Sequence, residues 1–209
     1  MPNKKYIQRF YNVDLETREE GQTGTIHGQP IVYNSPTNLG WFDEVIEPGA
    51  LDAADLTDVR LCLNHDTSYV YARSRRNNTN STMRLNVNNT GLEIEADLAL
   101  EESPKARDYF SAIKRKDIDK MSFMFTIDGE EWENLESDHP LRRITKIGSV
   151  IEVSAVTFPA YDSTSIDARS KEALDNARSA LDRARQQSEK SLDSDLELEK
   201  EKLKLKGGH

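Results

Sequence analysis

A mainly β, α+β domain followed by a helical tail is the fold class this sequence predicts, and three observations predict it. Short segments of alternating apolar and polar residues, punctuated by Asn, Gly and Pro, recur from Tyr6 to Phe158. A single helix signature, Ser103-Pro104, interrupts them. Near Asp167 the composition changes, and from there to Lys206 no aromatic and no proline occurs. The chain therefore divides into a β-rich domain over residues 1–167 and a charged helical tail over 168–209, within a length of 209 residues that allows one well-cored domain plus an appendage.

Taken in order, Tyr6 to Val13 reads as a first strand, and Gly24 to Tyr33 as a second, stopped by the turn signal Asn34-Ser35-Pro36. Trp41 to Ile46 is short and apolar and ends at Glu47-Pro48-Gly49; Val59 to Asn64 runs directly into His65. Thr82 to Val87 and Leu92 to Leu98 form a hairpin across Asn88-Asn89-Thr90-Gly91, whose residues tolerate turn conformations. Ser103 can cap a helix with Pro104 in its first turn, and Ala106, Tyr109, Phe110 and Ile113 fall at the spacing of a buried stripe. Strands follow at Met121 to Ile127 and Ile144 to Phe158. In the tail, Ala173, Leu174, Ala177, Ala180, Leu181 and Ala184 recur at helical steps, giving a narrow apolar seam that fades through Gln186-Gln187-Ser188. A solvated helical tail and a self-association or scaffold-like arm both fit that seam.

Bulk properties exclude several functions. A net charge of −9 leaves no excess of Lys or Arg to neutralise phosphates, which argues against a nucleic-acid partner. One cysteine cannot form an internal disulfide and fits a reducing compartment. No run is apolar enough to cross a bilayer, and Met1 to Tyr6 lacks a signal core, so a soluble, intracellular protein without a membrane partner is expected. The four histidines (His27, His65, His139, His209) are scattered and no HExxH or paired-cysteine spacing occurs, so neither a metal nor another cofactor is expected.

The residues able to do chemistry are few. In Met121 to Ile127 the aromatic positions share one face, and Ser122, Met124 and Thr126 share the other, where a substrate could reach the serine; a plain solvent-facing serine is the alternative. His65 has the imidazole a general base requires, with an ordinary loop histidine as the alternative. Asp66 can orient His65 only if the chain turns there, as Thr67 and Ser68 would permit. Glu152 lies in an apolar strand and needs a partner, either a histidine ring or Arg142 or Arg143. Ser154 shares the face of Glu152 and is a second candidate nucleophile, whereas the lone Cys62 is assigned to the core. Arg142 and Arg143 could stabilise an oxyanion or simply be solvated. A nucleophile, a base and an acid together make acyl transfer the leading chemistry.

Five motifs occur in order: Tyr33-Asn34; Phe42-Asp43-Glu44 with Ile46-Glu47-Pro48-Gly49-Ala50; Asn64-His65-Asp66; Lys120-Met121-Ser122-Phe123-Met124-Phe125; and Glu152-Val153-Ser154-Ala155-Val156-Thr157-Phe158-Pro159-Ala160-Tyr161. This set resembles the prohead (capsid maturation) proteases of HK97-type tailed bacteriophages, over roughly Gly24 to Tyr161. The resemblance implies an assemblin-like fold, a β-barrel flanked by helices, shared with herpesvirus maturation proteases. It also implies a serine endopeptidase that cleaves scaffold or capsid protein, and often itself, inside the assembling procapsid in the host cytoplasm, with the phage major capsid protein and the scaffold region as partners. The family's nucleophile maps to Ser122 and its histidine to His65, and Glu152 is the matching acidic position. Met124 departs from the pattern, where glycine is expected. A homodimer is suggested by the herpesvirus analogy alone. Self-processing is expected between Asp167 and Gly207, because exposed mixed-charge tails are readily cut. The rival reading is a non-enzymatic capsid scaffold or assembly module on the same fold, with the tail carrying its function.

Overall fold

The computed structural model describes residues 6–11, 15–21, 23–158 and 163–206, with backbone alone at 163–168, 192–199 and 201–206. The expected Val13, the Pro159-Ala160-Tyr161 end of the last motif, and Gly207-Gly208-His209 lie outside the described residues. In chain order the elements are β1 (Ile7–Tyr11), β2 (Glu16–Glu20), β3 (Thr23–Val32), β4 (Thr37–Asn38), β5 (Asp43–Ile46), β6 (Asp58–Leu63), β7 (Ala72–Arg75), β8 (Met83–Val87), β9 (Gly91–Ala99), α1 (Pro104–Lys114), β10 (Lys120–Glu133), β11 (Leu141–Val156) and α2 (Ser163–Lys206). Among the described residues the fold is mainly β with two helices, as expected. The strands form two sheets, of seven and four strands, and no closed barrel is found among the described residues.

The larger sheet is organised by β11. One of its edges pairs antiparallel with β10 along its length; the other pairs in parallel with β5 at Leu141–Ile144 and then with β6 at Glu152–Ala155. β1 adds antiparallel to the outer edge of β10, and β7 to β6. The smaller sheet runs β2-β3-β9-β8. A single apolar cluster joins residues of both sheets, with Ile26, Ile31, Leu92 and Leu98 from one and Leu61, Met121, Phe123, Phe125 and Val153 from the other. The Phe123 and Phe125 rings stack within it, with centroids 4.7 Å apart.

Local chemistry explains the elements. Ser103 caps α1 by accepting the Ala106 amide at 3.2 Å, and Ala106, Tyr109, Phe110 and Ile113 are its buried stripe, as the spacing predicts. The predicted hairpin is β8–β9; Asn88 Oδ1 accepts the amides of Thr90 (2.8 Å) and Gly91 (3.1 Å). Gly91 has φ 145°, and a Cβ there would lie 1.9 Å from the Ile31 carbonyl oxygen. Gly91→Ala is therefore expected to cost about 1–3 kcal/mol of stability in chemical denaturation, and a midpoint equal to wild type would contradict the clash.

Several strands were not visible in the alternation. β2 (ETREE) and β7 (ARSR) are dominated by polar residues and exist because neighbours supply their ladders. β10 runs on to Glu133 and β11 already begins at Leu141, so the two extend beyond the apolar segment as a ribbon with irregular register, while β11 ends at Val156, two residues short of the expected Phe158. α2 starts at Ser163 and its first half rests on the domain: Leu174 is buried against Leu39 and Phe42, and Ser170 Oγ donates to the Leu39 carbonyl at 3.1 Å. Arg178 donates to the Leu135 and Ser137 carbonyls at 3.0 and 2.7 Å, and Arg185 pairs with Glu136 at 2.5 Å. That part of the helix is thus not simply solvated, whereas the side chains from Asp182 to Ser191 are exposed.

A buried charge cluster ties β1 to β5. Glu44 accepts Arg9 Nε at 2.5 Å and Arg142 at 3.1 Å, and Arg142 also pairs with Glu130. Burial opposes the charge on Glu44, yet Arg9 and Arg142 hold its carboxyl below the usual carboxylate range. A depressed folded-state pKa contributes stability above the unfolded value, roughly 4.3, and that contribution is lost as pH falls through the folded value. Acid titration of thermal stability is expected to show this loss below about pH 4.3 in wild type and a flatter profile in Glu44→Gln; superimposable profiles would refute the assignment.

Candidate active site

Residues paired across neighbouring strands share a sheet face, so the register alone assembles the site. One row runs Cys62 (β6), Ser154 (β11), Ser122 (β10) and Phe10 (β1). The next runs Arg60, Glu152, Met124 and Gln8. Ser122 thus stands one strand away from Ser154, a Cβ separation of about 5 Å, with Glu152 in the adjoining row. A β-bulge maintains this arrangement: Met124 faces Glu152 but Phe125 faces Val150, leaving Ile151 as the extra residue. The bulge lets Val150 and Val153 both enter the core while Glu152 and Ser154 stay together on the other face.

His65 reaches the site by a backbone reversal. Asn64 and His65 both have left-handed φ, 52° and 60°, immediately after β6 ends at Leu63. Asn64 fixes the turn, its amide donating to the Ala155 carbonyl (3.0 Å) and its Oδ1 accepting the Thr157 amide (2.9 Å). The imidazole returns over β11, where Nδ1 hydrogen-bonds Glu152 Oε1, and the His65 amide donates to Ser154 Oγ at 3.1 Å. The Ser154 hydroxyl in turn donates to Glu152 Oε2 at 2.6 Å. Both carboxylate oxygens are engaged, and this buried acid has the partner it requires. With Nδ1 donating to the carboxylate, Nε2 is the free ring nitrogen; it is buried and has no hydrogen-bond partner among the described residues.

Each candidate finds a definite place. Asp66 is engaged elsewhere, its Oδ1 accepting from the Ser68 amide (2.9 Å) and hydroxyl (2.5 Å) on the surface. Cys62 is buried as expected, but in the row of Ser154 and Ser122 rather than with Leu61; burial, then the charge of Glu152, pushes its thiol up to about 12, so it remains protonated. Arg142 is committed to Glu44 and Glu130, and Arg143 to Glu133 (2.5 Å) and Glu47 (3.3 Å), so neither guanidinium is directed at Ser122. Ser122 itself corrects the expectation of an open face, being only 2% exposed, with its hydroxyl donating to the Arg9 carbonyl at 2.8 Å. Among the described residues no group of His, Cys, Asp and Glu side chains could hold a metal ion, and no helix is long and apolar enough to cross a membrane.

The parts that acyl transfer draws on lie on neighbouring strands: a histidine whose Nδ1 is held by a buried carboxylate, and a serine on the next strand whose hydroxyl is bonded to the Arg9 carbonyl. The family described as caudovirus prohead serine protease matches residues 11–178. The chain belongs to that family. The match begins before Gly24 and continues past Tyr161 into α2, so it is wider than the motif-by-motif resemblance. Membership makes the protein one of a serine protease family and implies a protease of phage capsid maturation. No curated protein and no solved structure matches the chain.

The role of Ser154 was missed, since it is a candidate nucleophile by sequence but a bridge between the His65 backbone and Glu152 in space. The signal for it was the two-residue spacing from Glu152, which fixes both on one face. The Arg9–Glu44 pair was also missed, although an acid flanked by Phe42, Val45 and Ile46 signals a buried charge needing a partner.

Proposed function

We propose that the protein is a serine endopeptidase that cleaves phage scaffold and capsid protein, and itself, within the assembling procapsid in the host cytoplasm. Ser122 is the nucleophile, His65 the general base and Glu152 the acid that orients it. The observation that carries this reading is the His65 ring, with Nδ1 on a buried carboxylate and Nε2 buried and unpartnered, one strand from a serine hydroxyl.

In the reaction, His65 Nε2 takes the Ser122 proton as Oγ bonds to the substrate carbonyl carbon. The resulting tetrahedral oxyanion collapses, the C–N bond breaks, and His65 returns the proton to the leaving amine. Water, deprotonated by the same nitrogen, then attacks the acyl-enzyme and releases Ser122. Glu152 keeps the proton on Nδ1 and stabilises the imidazolium, while Ser154 holds both the carboxylate and the His65 backbone in place. Backbone amides receive the oxyanion, since Arg142 and Arg143 are otherwise engaged.

An assemblin-like arrangement of the β-rich residues 1–167, the separate role of the charged tail over 168–209, self-processing between Asp167 and Gly207, and a homodimer belong to the same proposal. The test is mass spectrometry of the protein co-expressed with its cognate capsid protein, wild type beside Ser122→Ala. Defined capsid-protein fragments present only with wild type are expected. Intact capsid protein with both, in particles that have assembled, would favour the scaffold module instead. Intact mass of active protein unchanged after long incubation would count against self-processing.

A further inference from the structure

The strand that holds Ser122 has two edges, and β11 occupies one of them along its length. The other, at the level of the serine, is occupied by the chain's own β1, which pairs from Ile7 opposite Phe125 to Tyr11 opposite Met121. Phe10 stands directly opposite Ser122. The Ser122 hydroxyl gives its proton to the Arg9 carbonyl rather than to His65 Nε2, so nucleophile and base are both present but not joined. The same residue anchors the strand, because the Arg9 guanidinium is held by the buried Glu44. Apart from Tyr11, β1 precedes the family match, so the matched segment contains His65, Ser122 and Glu152 without it.

An endopeptidase must bring an extended polypeptide alongside its nucleophile, and a free strand edge does this through main-chain pairing that requires no particular side chain. We propose that β1 is a self-inhibiting strand. It occupies the edge of β10 at which an extended polypeptide substrate pairs, and Ser122 becomes reactive only when β1 leaves. This rests on reading Ser122 as the nucleophile.

Accessibility of position 122 can be measured apart from catalysis. In the full chain, Ser122→Cys is alkylated with iodoacetamide, with and without Arg9→Glu, which sets a carboxylate against Glu44. Peptide mapping separates position 122 from Cys62, whose slow alkylation reports that the fold is intact. Alkylation at position 122 is expected to accelerate at least tenfold with Arg9→Glu, and an unchanged rate overturns the proposal. Should Arg9→Glu fail to fold, a staple replaces it. Gln8 and Met124 are cross-strand partners, and paired strand positions of this kind have Cα separations that suit a disulfide. With Ser122 retained, Gln8→Cys/Met124→Cys should react with a fluorophosphonate at least tenfold more slowly oxidised than reduced; equal labelling of the two forms overturns the strand's role. If the Arg9 comparison behaves as expected but the wild-type serine takes no fluorophosphonate even with Arg9→Glu, the protease reading fails and the covering strand stands.

Discussion

Ser122→Ala is expected to lower peptide-bond cleavage by a factor on the order of 10⁴–10⁶, the scale seen when the attacking hydroxyl of a serine protease is removed. The fold should survive. The lost hydroxyl donates to the Arg9 carbonyl at 2.8 Å, and a net loss of about 1 kcal/mol follows from removing a bond of this kind. The comparison therefore pairs kcat/KM on a capsid-derived peptide with the thermal midpoint of each protein. Cleavage within tenfold of wild type would mean that another group attacks, and Ser154 is the candidate closest in the sheet. Ser154 is poorly suited, because its proton is already donated to Glu152 and its oxygen accepts the His65 amide. Cys62, protonated and buried, is no better placed.

The parts of this site that could be read from the sequence are those set by strand parity. Ser122 lies off the aromatic face and Glu152 shares a face with Ser154 because strand side chains alternate, whatever the tertiary context. Parity could not choose between Asp66 and Glu152 as the partner of His65, since that depends on two consecutive left-handed residues at Asn64 and His65. Their effect is to turn the ring back across β11 and send Asp66 to the surface. Nor could parity anticipate the bulge at Ile151, which keeps Val150 and Val153 in one core despite their odd spacing. Burial of Ser122 is the feature least legible in the sequence. The partner of its hydroxyl, the Arg9 carbonyl, lies on β1, a strand more than a hundred residues away in sequence, and such pairings leave no local signature. The helix α1, by contrast, was legible to the residue at its cap and buried stripe, because both are decided within a few positions.

Glu152→Gln separates an orienting acid from a structural one. Glu152 is 1% exposed and both of its oxygens are committed, Oε1 to the His65 ring and Oε2 to the Ser154 hydroxyl. Glutamine preserves the shape and can keep its oxygen on His65 Nδ1 while its amide donates to Ser154 Oγ, so the packing can persist. Two things are lost: the negative charge that stabilises the imidazolium, and the strict preference for a proton on Nδ1. In the other amide orientation the NH2 faces Nδ1, which must then accept, and the proton moves to Nε2, where the ring can no longer take one from Ser122. The expected result is a fall in kcat on the order of 10²–10⁴ with KM little changed, as for the equivalent substitution in a serine protease triad, and a thermal midpoint close to wild type. Glu152→Ala should add a stability loss of several kcal/mol, since it leaves the buried His65 and Ser154 groups without partners. A Gln variant that loses stability yet retains wild-type kcat at a temperature where it is folded would remove Glu152 from the catalytic machinery. The acid would then be only the buried anchor of the Asn64-His65 turn.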